Sequence, residues 1–445
     1  MAATACLTPW KRPLKPIKQR HVVVALCALS TFVCYADRIN MSVTILHMAS
    51  EYEWSAVTQG WILSSFFYGY MLTQVVGGLL AQKYGGKQVL NFAVMWWSVF
   101  TYITPFASRQ SVSVLLLARF LMGLGEGMAF PCVYHVLSRF VPPEERSRSF
   151  AVVQGGVMMG TVFSFLTAPL LCGRFGWESV FYSYAILGFI WSFFWMWIAP
   201  DDYGMMPYGD RDDSIDFEEC DKMLPHATGS SNHALDGKAA AGNFSCFRLL
   251  QHPAVMAILV VHFCHNWGLY IMLSWFPTYC YEVLGIDKTG VYITFLPYLM
   301  MAFAAICGGW AADRLLQSGK SVLTVRKLMT FLGLMGPAVF LPLFSLVQNK
   351  FAAMLLASLA LSLATSVGSG ALINHVDIAP KHSGTLLGIT NTAASLPGII
   401  SVPLTAYLLQ TTGGLWVSVF LLSSTIQLSG LWFYWKHARA DRIFP

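Results

Sequence analysis

The chain has 445 residues, of which 56% are apolar, 14% aromatic and only 11% charged. An ordinary soluble domain carries about 25% charged residues, so the 28 Lys and Arg and 22 Asp and Glu are too few to clothe a water-facing surface. That excludes a soluble enzyme, a disordered chain and a nucleic-acid binder. The ten cysteines are scattered with no CxxC pair, so neither a disulfide framework nor a metal site is indicated.

Residues 1–21 form a basic tail, with Lys11, Arg12, Lys15, Lys18 and Arg20, no acid and no cleavage site after it; the first apolar stretch therefore reads as an uncleaved anchor. A bilayer needs about 20 mostly apolar residues per helix. Twelve such stretches follow, at 22–46, 57–81, 89–107, 111–138, 149–172, 178–199, 253–280, 289–312, 326–347, 351–373, 385–409 and 414–435. Residues 200–252 interrupt them with a polar segment holding ten of the 22 acids, a composition that reads as a mobile linker. The predicted organisation is an all-α membrane protein: a tail, a six-helix half at 22–199, the linker, a second half at 253–435 and a C-terminal tail at 436–445.

Loop charge sets the orientation. If the N-terminus is cytoplasmic, loops on that side hold 22 of the 28 cations, and the opposite side holds four: Arg109, Arg174, Lys288 and Lys350. The remaining two, Arg38 and Arg119, fall inside spans. Both termini and the linker are thus expected in the cytoplasm. The halves also echo each other. Residues 77–83, GGLLAQK, recur as GGWAADR at 308–314, and Trp177-Glu178-Ser179-Val180-Phe181 recurs as Trp416-Val417-Ser418-Val419-Phe420, at offsets of 231 and 239. Parallel six-helix halves of this kind describe major-facilitator transporters.

Ionisable groups inside a bilayer are expensive and mark functional interiors. In the first span these are Asp37 and Arg38; Asp37, near the expected exoplasmic end, reads as a local cap or pair. In the fourth, Arg119 and Glu126 are seven residues apart, on one helix face. Gly123, Gly125 and Gly127 allow close helix approach, and Pro131 bends the helix beyond them. In the seventh, His262 and His265 precede Asn266, and the tenth ends in Asn374-His375-Val376-Asp377. An arginine keeps its charge and offers a fork of donors that suits carboxylate or phosphate. Glu126 reads as the one acid deep in a span, able to carry a proton through a transport cycle or to form an ion pair with Arg119.

The strings CYADRINMSV (34–43), ARFLMGLGEGMAFP (118–131), HNWGLYIMLSWFPTY (265–279), NHVDIAP (374–380) and GITNTAASLPGI (388–399) resemble the anion:cation symporter branch of the major facilitators, most of all its plant-type anion transporters. The resemblance implies that Arg38 and Arg119 contact a substrate anion and that Glu126 couples its movement to a cation. Vesicular glutamate transporters of that branch have an arginine where this chain has His265 and histidines where it has Leu63 and Tyr134. A titratable group in place of a third fixed cation favours a smaller anion, inorganic phosphate first, over glutamate; other organic anions stay open. Tyr134, His265 and Asn266 join the arginines as expected substrate contacts. Lys83, Lys87, Asp313 and Arg314, in the repeated loops, are expected to latch the halves on the cytoplasmic side as they rock about the site. The expected partners are a small anion, Na⁺ or H⁺ and the bilayer, with the chain working as a monomer and no cofactor. A primary pump would need a phosphate-cradling loop; Ser318-Gly319-Lys320-Ser321 has Arg314 where the leading glycine belongs. A channel on the same helices is the remaining alternative.

Overall fold

The computed structural model describes residues 19–202, 251–379 and 383–443. The predicted basic tail, apart from Gln19, Arg20 and His21, and nearly all of the predicted linker lie outside these residues. Among the described residues, twelve helices are long and apolar enough to cross a membrane. They are α1 (Gln19–Glu51), α2 (Ala56–Tyr84), α3 (Gly86–Gln110), α4 (Val112–Phe140), α5 (Pro143–Phe175), α6 (Glu178–Ile198), α7 (Pro253–Glu282), α8 (Gly290–Gln317), α9 (Val322–Leu346), α10 (Lys350–Ile378), α11 (Ser383–Thr411) and α12 (Trp416–His437). Each coincides with a predicted span, and most overrun it by a few residues at one or both ends, because a helix continues into the headgroup region after its apolar run stops.

Short polar residues start several helices by occupying free backbone N–H groups. Ser55 accepts from the Thr58 N–H, Ser111 from Val114, Ser321 from Thr324, and Asn349 from Phe351 and Ala352. Gly85, at φ 86°, makes the turn between α2 and α3 with no intervening loop. Two helices break in mid-course. α4 is interrupted at Met128, where Pro131 lacks the N–H that would bond the Gly127 carbonyl. α10 passes through a π turn at Gly368–Leu372, with Gly370 at φ −98°, ψ −105°. Arg326 of α9 stabilises this kink: its Nη1 donates to the Ser369 carbonyl at 3.1 Å, and its Nε and Nη2 donate to Asp377 at 2.7 and 3.2 Å. Such π turns are frequent at functional positions.

Helices α1–α6 and α7–α12 meet along α2 with α11, α5 with α8 and α1 with α7. The α1 start at Gln19, the α12 end at His437, the α2–α3 turn and the α8–α9 loop share what we call the basic face. At the opposite face the two sets share one apolar core, running from Met41, Ile62, Phe165 and Phe181 into Trp275, Tyr298, Phe344 and Phe420. Rings interlock across it: Phe165 stacks on Tyr298 at 4.5 Å and Phe67 meets Tyr270 at 4.6 Å. Toward the basic face the described residues form separate cores, one in the first half around Trp97, Val136 and Trp195 and two in the second, around Ile258, Leu334 and Tyr434 and around Ala312, Val325 and Met329. The halves thus share a core at the far face, whereas each core toward the basic face belongs to one half alone.

Candidate functional site

The seam between α2 and α4 places the central charges. Gly69 and Gly123 face one another's helices so closely that an added Cβ on either would overlap backbone of the other helix, which brings α4 and its two ionisable groups up to α1 and α2. Where the halves meet, a small cavity of about 20 Å³ is lined by Arg38 and Ser42 of α1, Phe66 of α2, Arg119 of α4, and Tyr270 and Ser274 of α7. The two arginines expected from the sequence therefore share one cavity.

They are held differently. Arg38 is 7% exposed, and its guanidinium lies over Tyr35, Phe66 and Tyr70 at 4.4, 4.9 and 4.4 Å from the ring centroids. Its Nε and Nη2 donate to Glu126 Oε2 at 3.2 and 3.1 Å. Arg119, 2% exposed, forms no ion pair among the described residues; its Nη1 rests 3.0 Å from the Met122 sulfur and its Nε is unpartnered. The sequence offered an Arg119–Glu126 ion pair, and the structure corrects this. Seven residues separate the two by roughly 10 Å along the helix, and Arg38 from α1 reaches the carboxylate instead. One guanidinium is thus neutralised inside the protein and the other is left with its charge facing the cavity.

Asp37 departs furthest from expectation. α1 runs on to Glu51, so Asp37 is in mid-helix rather than near an end. It is 0% exposed, its carboxylate makes no well-formed hydrogen bond and has only the Trp97 indole N–H beside it as a poorly aligned donor, and it lies within electrostatic reach of Glu126 and Arg119. Glu126 is therefore not the one deep acid. Asn40, one turn on, is equally buried with both amide atoms unpartnered. Buried polar atoms without partners are rare and call for a ligand or water.

The other expected contacts lie outside the cavity's lining. Tyr134, beyond the α4 break, is 39% exposed and stacks on Phe150 at 5.2 Å. His265 is half-buried, and Asn266 donates to the Ala394 carbonyl of α11 at 2.9 Å. His262 is buried with Nδ1 unpartnered, while His375 bonds Thr390 at 2.9 Å. Of the expected latch, Lys87 pairs with Asp201 at 3.1 Å, Arg314 lies over Trp310 and Lys83 over Tyr84, each within its own half; Asp313 is exposed. A polar bridge that sequence reasoning missed joins the halves beside the site: Gln74 donates to Ser395 at 2.8 Å and accepts from Asn391 at 3.0 Å. Ser274 falls within the 265–279 string but, like Gln74, is uncharged in an apolar span and so carried no signal of a role; Asp37 announced itself by type but not by depth.

Residues 27–402 match the Major Facilitator Superfamily. The chain belongs to that superfamily, and within it to the anion:cation symporter branch. It is 40% identical to the "Ascorbate transporter, chloroplastic" of Arabidopsis thaliana over 98% of this chain and 77% of that protein. It is 39% identical to the "Sodium-dependent phosphate transport protein 1, chloroplastic" of the same plant, over 96% of this chain and 80% of the relative. Among solved structures, a bacterial homolog of the human lysosomal transporter Spinster, in an inward-facing and occupied conformation, superposes with a TM-score of 0.73 at 14% identity, covering 95% of this chain and 98% of that one. This major facilitator is a multi-pass membrane transporter and not an enzyme.

Proposed function

We propose that this transporter carries a small anion, inorganic phosphate first, together with Na⁺ or H⁺, by alternating access. The observation that carries the reading is Arg119: a guanidinium 2% exposed, without an ion pair among the described residues, in a cavity where the two halves meet. A buried charge without a directly bonded counter-ion is costly, and an anion supplies that partner with matching bidentate geometry. Arg38 is the second half of the clamp. While Glu126 is ionised it occupies Arg38; a proton or cation on Glu126 frees that guanidinium for the anion, so anion and cation load together. Asp37 adds a second carboxyl within reach of the same exchange. Moving an anion into a negative interior opposes about 2.3 kcal/mol per charge per 100 mV, which cation co-transport offsets.

With the basic face in the cytoplasm, as the loop charges indicate, the face where the halves share no core is read as the inward opening. Tyr134, His265 and Asn266 then sit toward that opening and would contact the anion as it enters or leaves. Lys83, Lys87 and Arg314 would exchange their present partners, and Asp313 gain one, in contacts across the halves when the basic face closes. An organic anion is the second reading, supported by the Ser42, Ser274 and Tyr270 hydroxyls in the cavity and by the relative named for ascorbate.

The test is uptake by purified protein in liposomes, with labelled phosphate set against glutamate and ascorbate under separately imposed Na⁺, H⁺ and voltage gradients. Phosphate accumulation driven by one cation gradient, with counterflow, supports the proposal. Preference for ascorbate moves the assignment to the second reading, and passive flux without counterflow would replace the carrier by a channel.

A further inference from the structure

We propose that Cys34 is a positioning residue whose thiol holds the ionised Glu126 carboxylate against Arg38 and so sets the pH at which transport switches. The inference rests on the reading of Glu126 as the coupling acid. Cys34 and Arg38 are one turn apart on α1, so both project from the same face. The Cys34 thiol donates to Glu126 Oε2 at 3.3 Å, the same oxygen that accepts Arg38 Nε and Nη2 at 3.2 and 3.1 Å. Arg38 Nη2 also lies 3.8 Å from the sulfur, so the three side chains close a small ring. All three donors converge on Oε2, while Oε1 is buried with no partner. The carboxylate is therefore asymmetric: one oxygen is committed and the other is open to a proton.

A thiol in this position is neither inert nor strong. It is 0% exposed, and a weak S–H donor favours the ionised carboxylate only modestly. A hydroxyl would favour it more, and a methyl would leave the lone pair bare. The other charged and titratable groups facing Glu126 are Asp37 on α1, Arg119 on α4 itself and Tyr70 on α2, with α3 contributing the Trp96 and Trp97 indoles beside Gly125. They remain in place when Cys34 is changed, so the effect of the thiol is separable.

The experiment measures the pH profile of uptake in liposomes for the unmodified protein, Cys34→Ala and Cys34→Ser, each with and without Glu126→Gln. Removing the donor should move the midpoint of the profile up by roughly half a pH unit, and the hydroxyl should move it down by a similar amount. With Glu126→Gln present the profile should be flat, and neither change should restore a midpoint. Opposite shifts for alanine and serine are the decisive result, because lost packing would push both variants the same way. Midpoints that do not move, or that move together, while Glu126→Gln flattens the unmodified profile would reduce Cys34 to packing. A profile that Glu126→Gln leaves intact would instead remove the coupling reading beneath the proposal. If Cys34→Ala fails to accumulate, the near-isosteric Cys34→Ser decides alone: a downward shift supports the thiol's role and an unmoved midpoint overturns it.

Discussion

Arg119 and Arg38 share a cavity but not a charge state of their surroundings, and this separates the effects expected of their variants. Lysine at position 119 keeps the cation and loses the planar fork. Losing one charge-assisted hydrogen bond costs about 1.5–3 kcal/mol, so Arg119→Lys should lower uptake at limiting anion by roughly tenfold to a hundredfold. Near-normal initial rates at low substrate would remove Arg119 from the site. Glu126→Gln leaves Arg38 without its carboxylate and the site without its coupling group. It should abolish accumulation against a gradient while anion exchange across equal concentrations persists, as double-sided tracer exchange would read; retained gradient dependence would point to Asp37 instead. The identity of these groups was legible in the sequence because charges inside apolar spans are rare. Their pairing was not. Arg119 and Glu126 share a helix, which made them the obvious couple, yet the partner that reaches Glu126 comes from α1. Asp37 shows the same limit: an apolar run ending near residue 46 hides a helix ending at Glu51, and with it the depth of the acid.

At the scale of elements, the glycines of α4 decide whether the charges meet at all. Gly123 packs against the backbone of Phe66 and Tyr70, Gly127 against Tyr70 and Thr73, and Gly125 against α3. This was readable as a run of small residues, though which helix each faced was not. A branched side chain at position 123 must push α2 off α4, and overpacking of this kind costs about 1–3 kcal/mol or more. Gly123→Val should therefore lower thermal stability in detergent, and its residual uptake should fall further than the stability loss accounts for, because Arg119 moves away from Arg38. A variant with unchanged melting temperature and transport would mean that α2 and α4 are not held this closely. The break in α4 was predictable from Pro131, whereas the π turn of α10 was not: no proline marks it, and it depends on Gly370 packing against Thr330 and on Arg326 capturing the freed Ser369 carbonyl from another helix.

For the whole molecule, the decisive feature is that one apolar core serves both halves at the far face while each core toward the basic face lies within a single half. A repeat of six helices was visible in the sequence as GGLLAQK and GGWAADR, but which face carried the shared core could not be, since that depends on packing between halves rather than on either half alone. The arrangement makes a prediction about access. Tyr134 is 39% exposed on the basic side of the arginine cavity, whereas Ser42, in the cavity's wall one turn beyond Arg38 toward the far face, is 3% exposed. In a background cleared of reactive native cysteines, a membrane-impermeant thiol reagent should label Tyr134→Cys from the basic face and leave Ser42→Cys unlabelled from the far face at rest. Supplying the anion and the coupling cation drives the alternate state, in which the shared core must open. Labelling of Ser42→Cys from the far face should then rise and that of Tyr134→Cys should fall, together and with the same concentration dependence on the anion. Equal labelling of Ser42→Cys from the far face at rest would mean the seal is absent. A rise at position 42 without a matching fall at position 134 would mean that the faces open independently, and the rocking of one half against the other would have to be given up.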